Sequence, residues 1–262
     1  MKKTQVLFAC ALVLAWAGVA VLHAAEEGHK EGKATIRSVH GTVLYMDGKT
    51  GNWLPLKPNM KFSAGASLRT GADGVIDMSV NGLASAVRID SGTTMQIQTM
   101  SYVGTPREGD TTTMLKLQEG GVLAVIKKLS ASSTYEVTTP RGVAGIRGTM
   151  CHWQVHLIDP FHTVDTFDCV DGRMVVAPFH HENGQPQTYD LTSKNSVILS
   201  DKITLQPMNT ADLQIFQNEG LNLNFTFDTG NRTGGSGTGP GTGTPNSTTP
   251  FNAGQPQGQP AS

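Results

Sequence analysis

Five histidines crowd the middle of the chain: His152, His156, His162, His180 and His181, with Asp159, Asp165, Asp168 and Glu182 beside them. Neutral imidazole is the commonest metal ligand near pH 7, and three convergent side chains of these types hold zinc or copper. On a strand His152 and His156 would share a face, because side chains alternate with a period of two. No standard ligand spacing accompanies them, so they read as solvated or acid-paired histidines, with no metal site and no cofactor. Ser, His and Asp are frequent enough to form a hydrolytic triad by chance. Neither Gly-x-Ser-x-Gly nor His-Glu-x-x-His occurs in the 262 residues, and a non-catalytic protein is expected.

A second constellation is cationic. Residues 138–149 read Thr-Thr-Pro-Arg-Gly-Val-Ala-Gly-Ile-Arg-Gly-Thr. Glycines recur every three residues at Gly142, Gly145 and Gly148, and Arg141 and Arg147 flank them. Backbone amides and guanidinium groups in such a loop can cradle an anion, which makes Arg141, Gly142, Gly145, Arg147, Gly148 and Thr149 the candidate binding residues. No Gly-Lys-Ser/Thr follows, so this is not a P-loop. The structural alternative, which the spacing favours, is a tight crossing where glycine admits close backbone approach.

The third constellation is a cysteine pair. Met1-Lys2-Lys3 precedes an almost entirely apolar run from Leu7 to Leu22, then small residues, then the polar EEGHKEGK. That pattern is a secretory signal peptide, cut after Ala24 or Ala25; its apolar run of 16 residues is shorter than the ~20 that span a bilayer. Cleavage removes Cys10 and leaves Cys151 and Cys169, and two cysteines in an exported chain suggest a disulfide. Met150–Leu157 and Thr163–Val170 read as a hairpin centred on Pro160. In that register Cys151 opposes Cys169, Trp153 opposes Phe167 and His152 opposes Asp168, so sulfur meets sulfur, aromatic meets aromatic and base meets acid. Opposed Cβ atoms about 4.5–5.5 Å apart are near disulfide reach. Closing such a loop is worth about 3 kcal/mol in the chain-entropy account.

The elements that must position these groups read as strands. Short apolar or β-branched runs recur at 42–46, 74–80, 86–89, 114–117, 122–126 and 135–137, several of them alternating. Val75, Asp77 and Ser79 fall on one face, and Ile76, Met78 and Val80 on the other. Asp47-Gly48, Asp73-Gly74, Asn81-Gly82, Ser91-Gly92 and Asp171-Gly172 read as turns. Many short strands at close spacing imply an all-β fold. One short helix is expected near the C-terminus, capped by Thr210, carrying Leu213 and Phe216 on one stripe and ended by Gly220. It is too short to persist unless it leans on the β domain. The tail from 229 to 262 is rich in Gly, Thr and Pro and reads as disordered.

Charge excludes one broad class. Twenty basic residues oppose 21 acidic ones, for a net charge of −1, and removal of residues 1–24 takes two lysines and no acid, giving −3. A nucleic-acid protein would need a basic patch to neutralise phosphates, so no nucleic-acid partner is expected. No segment after cleavage is apolar enough to span a membrane.

The 139–149 block, Thr139-Pro140-Arg141-Gly142 through Arg147-Gly148-Thr149, resembles the signature of the FecR domain family. Leu68-Arg69-Thr70-Gly71-Ala72-Asp73-Gly74, Ile89-Asp90-Ser91-Gly92-Thr93 and Leu117-Gln118-Glu119-Gly120-Gly121-Val122 resemble further elements of it, and the likeness runs over about Ala34 to Ala177. The resemblance implies antiparallel strands stacked in a solenoid-like arrangement or twisted β-roll; the strand pattern by itself leaves a β-sandwich open. Well-known members couple an outer-membrane receptor to a cytoplasmic sigma factor. The organisation expected is a signal peptide (1–24), a FecR-type β domain (33–180), a β-rich extension with the short helix (181–228) and the tail (229–262). The expected role is an exported, periplasmic or cell-surface binding or scaffold module. Its partner would be an envelope protein or cell-wall ligand, with self-association open. The alternatives are the envelope-side component of a transmembrane signalling system and a structural or metal-binding surface protein.

Overall fold

The computed structural model describes residues 28–81, 85–105, 109–181 and 184–208. The expected signal peptide, the helix after Thr210 and the tail lie outside these residues. Among the described residues there is no α-helix, and none therefore long and apolar enough to cross a membrane. The strands in chain order are β1 (Lys30–Glu31), β2 (Ala34–His40), β3 (Val43–Met46), β4 (Leu54–Pro55), β5 (Lys61–Phe62), β6 (Ser67–Thr70), β7 (Val75–Val80) and β8 (Ser85–Ile89). They continue with β9 (Thr94–Tyr102), β10 (Thr111–Ile126), β11 (Thr134–Thr138), β12 (Gly142–Asp159), β13 (His162–Pro178), β14 (Tyr189–Thr192), β15 (Asn195–Leu199) and β16 (Ile203–Pro207).

These strands form a single open sheet whose main path is β16-β15-β13-β12-β11-β10-β8-β7-β2-β5. All described pairings are antiparallel except β10 with β11. The all-β expectation is met, and β14, β15 and β16 belong to the same sheet, joined through β13.

Three strands are unusually long: β10, β12 and β13, at 16, 18 and 17 residues. Each takes part in two halves of the sheet. The start of β10 pairs β9 and β11, and its end pairs β8 and β12. The start of β12 pairs β11 and the end of β13; the end of β12 pairs β10 and the start of β13. The two halves supply one buried hydrophobic cluster. Leu68, Met95, Leu117, Val137, Ile146 and Met174 come from one half, and Ile36, Ile76, Ile89, Trp153, Phe167 and Val197 from the other.

A strand that turns inward in both halves must change which alternate residues it buries. β10 buries Leu115 and Leu117, then Val122 and Ala124; β12 buries Ala144 and Ile146, then Cys151 and Trp153; β13 buries Phe167 and Cys169, then Met174 and Val176. Each change of parity coincides with a glycine at positive φ: Gly120 at 87°, Gly148 at 59° and Gly172 at 96°. The β12–β13 ladder shifts register between Arg147 and Cys151, where Gly148 and Gly172 face each other. Asp171-Gly172, which the sequence suggests as a turn, is thus a bend inside a strand. The signal is the same in both cases, because glycine after aspartate supplies positive φ to either.

Space as well as φ enforces these glycines. A Cβ on Gly148 would lie 2.9 Å from the Lys128 Cα, and one on Gly120 would lie 2.5 Å from the Thr93 Cα. Gly145 has no positive φ and open space where a Cβ would stand. Gly148→Ala is therefore expected to destabilise the fold by about 2–3 kcal/mol, while Gly145→Ala leaves it unchanged or slightly firmer. Urea unfolding of the two variants checks this, and equal effects would refute the bend argument.

Candidate functional site

The candidate binding residues lie on the turn between β11 and β12 and along the first half of β12. Thr139 closes the turn by donating its N–H to the Gly142 carbonyl at 2.8 Å, with its hydroxyl on the same oxygen at 3.2 Å. From there Gly142, Gly145 and Gly148 are strand residues, paired with β13 or placed at its bend. Gly142 packs under Leu199, whose Cδ1 would be 2.8 Å from an added Cβ. Thr149 donates its hydroxyl to the Arg173 carbonyl at 2.9 Å, across the bend.

The two arginines separate. Arg141 is spent inside the protein. Its backbone N–H donates to Asp165 Oδ2 at 2.8 Å, Nε to the Thr163 carbonyl and Nη1 to the Ser200 carbonyl at 2.9 Å; Nη2 is 3.5 Å from the Asp201 carboxylate. It thus fastens the β11–β12 turn to the β12–β13 hairpin and to the β15–β16 turn. Arg147 is exposed and donates to the Ala131 carbonyl at 3.0 Å. The six residues form no single cradle.

The other resembling blocks also sit where the chain turns. Thr70 accepts the Thr93 N–H at 2.8 Å and donates to the Asp90 carbonyl at 2.5 Å. The Thr93 hydroxyl accepts the Gly121 N–H at 2.9 Å and lies 3.1 Å from the Gly121 carbonyl, beside the bend of β10.

The β12–β13 hairpin has the register that the sequence indicates: Cys151 opposite Cys169, His152 opposite Asp168, Trp153 opposite Phe167, Gln154 opposite Thr166 and Val155 opposite Asp165. Both cysteines are fully buried, and both thiols are free in this structure. Burial first, and then the Cys169 and Asp168 charges, push the Cys151 thiol well up. Cys169 is pushed up to about 11 by burial and by Asp171, Asp168 and Asp190. Neither offers much thiolate near pH 7, so both are poor nucleophiles and poor metal ligands in the folded state.

The histidines disperse. His152 is buried on the sheet face opposite the core, its Nε2 3.2 Å from Asp90 Oδ2 and its Nδ1 3.7 Å from Asp168 Oδ2. Burial alone would lower its pKa, but the Asp168 and Asp90 carboxylates outweigh that and raise it to about 9, so it is a cation at neutral pH. His156 is exposed, and His162 pairs with Asp159 at the hairpin tip. Among the described residues no three His, Cys, Asp or Glu side chains converge as metal ligands.

What the structure does gather is an apolar end. Leu157, Ile158, Phe161 and Phe179 are exposed large hydrophobics, and Phe161 reaches 90%. The tip that carries them is held firmly. Asp159 Oδ1 accepts the N–H of Phe161 at 2.8 Å and of His162 at 3.0 Å, and these bonds with His162 hold its carboxyl below the usual range. Behind the tip lies a groove of about 550 Å³, lined by Pro140, Arg141, Leu157, Phe161, Phe179 and Ile203. Its polar lining includes Gln118, His180, Ser200 and Asp201. Sequence reasoning passes over this surface, although apolar residues on both sides of the Asp159-Pro160 turn, where polar ones are usual, are a visible signal.

Comparison with known proteins then bears on identity. Residues 66–168 match the family model described as FecR protein, which begins before β6 and ends within β13. The 139–149 block lies within the matched segment. No curated protein matches the chain. Two crystal structures of a protein from Parabacteroides distasonis ATCC 8503, provisionally designated an anti-sigma factor, are similar at 12% and 10% identity, with TM-scores of 0.44 and 0.45. Each alignment covers 58% of this chain and 63% or 64% of the other, so the chain spans less than two-thirds of those structures.

Two outcomes are expected. Arg141→Ala strands the Thr163 and Ser200 carbonyls and should cost about 2–3 kcal/mol in urea unfolding, whereas Arg147→Ala should stay within about 0.5 kcal/mol; equal small losses would mean that Arg141 does not clamp the turns. We also propose that Cys151 and Cys169 are joined in the exported protein. Mature protein unfolded without reductant should then show no reactive thiol, and two reactive thiols would refute the bond.

Proposed function

We propose that this chain is a non-catalytic, envelope-side protein-binding component of a sigma-regulator-type signalling system. The observation that carries the reading is the concentration of Leu157, Ile158, Phe161 and Phe179 at one rigidly built end of a FecR-type sheet. A contiguous apolar surface on a soluble protein marks a docking site, and an ordered hairpin presents it with little entropic cost on association. The occupant is a protein segment with apolar side chains that enters the groove beside Phe161, where Ile203 and Phe179 meet it. The signal-peptide reading of residues 1–24 supports an envelope location, and the FecR match supports the signalling class. The glycine–arginine block acts as the scaffold that holds the docking end in place.

Cross-linking in intact cells tests this. The wild-type protein should recover a defined envelope receptor or regulator. Phe161→Asp should lose at least ten-fold of that recovery with an unchanged melting temperature, because Phe161 is almost wholly solvent-exposed. Recovery of nothing beyond this chain and wall polymer would overturn the signalling reading in favour of a structural one.

A further inference from the structure

The outer face of β11, β12 and β13 carries two acid–arginine couples, and one of them is open. Register sets the residues out in rows. Glu136 stands opposite Gly145, Gly145 opposite Val175, and Val175 opposite Asp190. Arg147 stands opposite Arg173 in the next row. Ile146 and Met174 turn into the core, so these six positions share the other face. Like charges directly opposite each other destabilise a sheet. Arg173 is relieved by its diagonal neighbour: Nε donates to Asp190 Oδ1 at 2.7 Å and Nη2 to Oδ2 at 2.5 Å. Arg147 has the matching diagonal neighbour on its other side, Glu136, but does not pair with it. Its Nη2 donates to the Ala131 carbonyl at 3.0 Å, and its other N–H groups have no partner among the described residues. Glu136 is half-buried and makes no hydrogen bond or ion pair among them either.

At this open couple lies a hollow of about 340 Å³, lined by Thr134, Glu136, Gly145, Arg147, Arg173 and Val175. Gly145 leaves it room, because the space where a Cβ would stand is empty. Neither a positive φ nor close packing calls for glycine there, unlike at Gly148. The charges of the lining balance. Asp190 neutralises Arg173, which leaves one anion, Glu136, and one cation, Arg147. An anionic ligand would meet the Glu136 carboxylate, and a cationic one the Arg147 guanidinium. A ligand with both charges side by side satisfies both through charge-assisted hydrogen bonds. Val175 is an exposed apolar residue in the same lining and offers contact to a short hydrocarbon group.

We propose that this hollow binds a free α-amino acid with a small or aliphatic side chain. The Glu136 carboxylate accepts hydrogen bonds from the ammonium group. The Arg147 N–H groups not held by Ala131 donate to the carboxylate, and the side chain rests on Val175. The site stands independently of the proposed function, since none of its residues belongs to the hairpin tip or its groove.

Titration of glycine, L-alanine, D-alanine, L-valine and L-leucine into the isotope-labelled protein, followed by NMR, tests this. At least one of them should shift the amide signals of Glu136, Gly145 and Arg147 to saturation. Glu136→Gln and Arg147→Gln should each weaken that binding by about ten-fold or more. Gly145→Val should abolish it without lowering the melting temperature. Isovalerate and isobutylamine, which carry one charge each, should bind about ten-fold or more weakly than the best amino acid. Saturation by none of the five, shifts confined to other residues, equal binding of isovalerate or undiminished binding in the Glu136→Gln variant would overturn the proposal.

Discussion

The fold depends on a parity constraint. A strand that lines the core in two halves of a sheet cannot keep burying the same alternate residues through a bend, and each of β10, β12 and β13 solves this with one extra residue at positive φ. Gly120, Gly148 and Gly172 thereby decide which side chains are inside over more than forty residues of chain. The main core shared by the two halves depends on these three backbone positions, where a Cβ has neither the dihedral nor the room.

That constraint separates what is legible in the sequence from what is not. The strands are visible as alternation, and the β12–β13 register is visible because three complementary pairs fall into place at once about Pro160. The bends are less so. Met114–Leu117 and Val122–Ile126 look like two strands, since the pattern breaks at Gly120-Gly121; in space they are one strand whose ladder partners change. The same break reads as a turn at Asp171-Gly172 and as a loop at Gly145–Gly148. Local sequence reports that φ becomes positive but not whether the chain reverses or continues, because that depends on partners dozens of residues away.

The glycine–arginine block illustrates the same limit for function. Arginines beside glycines look alike whether they hold an anion or a carbonyl. Arg141 is committed by Thr163 and Ser200, which lie 22 and 59 residues downstream, and nothing in residues 138–149 announces them. Conversely the exposed end of the hairpin was visible as Ile158 and Phe161 around a turn, yet its meaning needs the surrounding groove. The blocks that resemble the FecR signature thus lie at bends and turns, while the exposed apolar end of the hairpin is built from residues outside them.

The reach of the Arg141 clamp also has a kinetic consequence. A chain emerges N-terminus first, whether from a ribosome or a translocation pore, and the contacts that lock the β11–β12 turn arrive only when Ser200 and Asp201 are free of the exit. Until then the Gly142–Thr149 strand has its shape without its fastening, and long loops must close before the reward is collected. The fastening of this turn therefore comes late in synthesis, after most of the sheet's strands have already emerged.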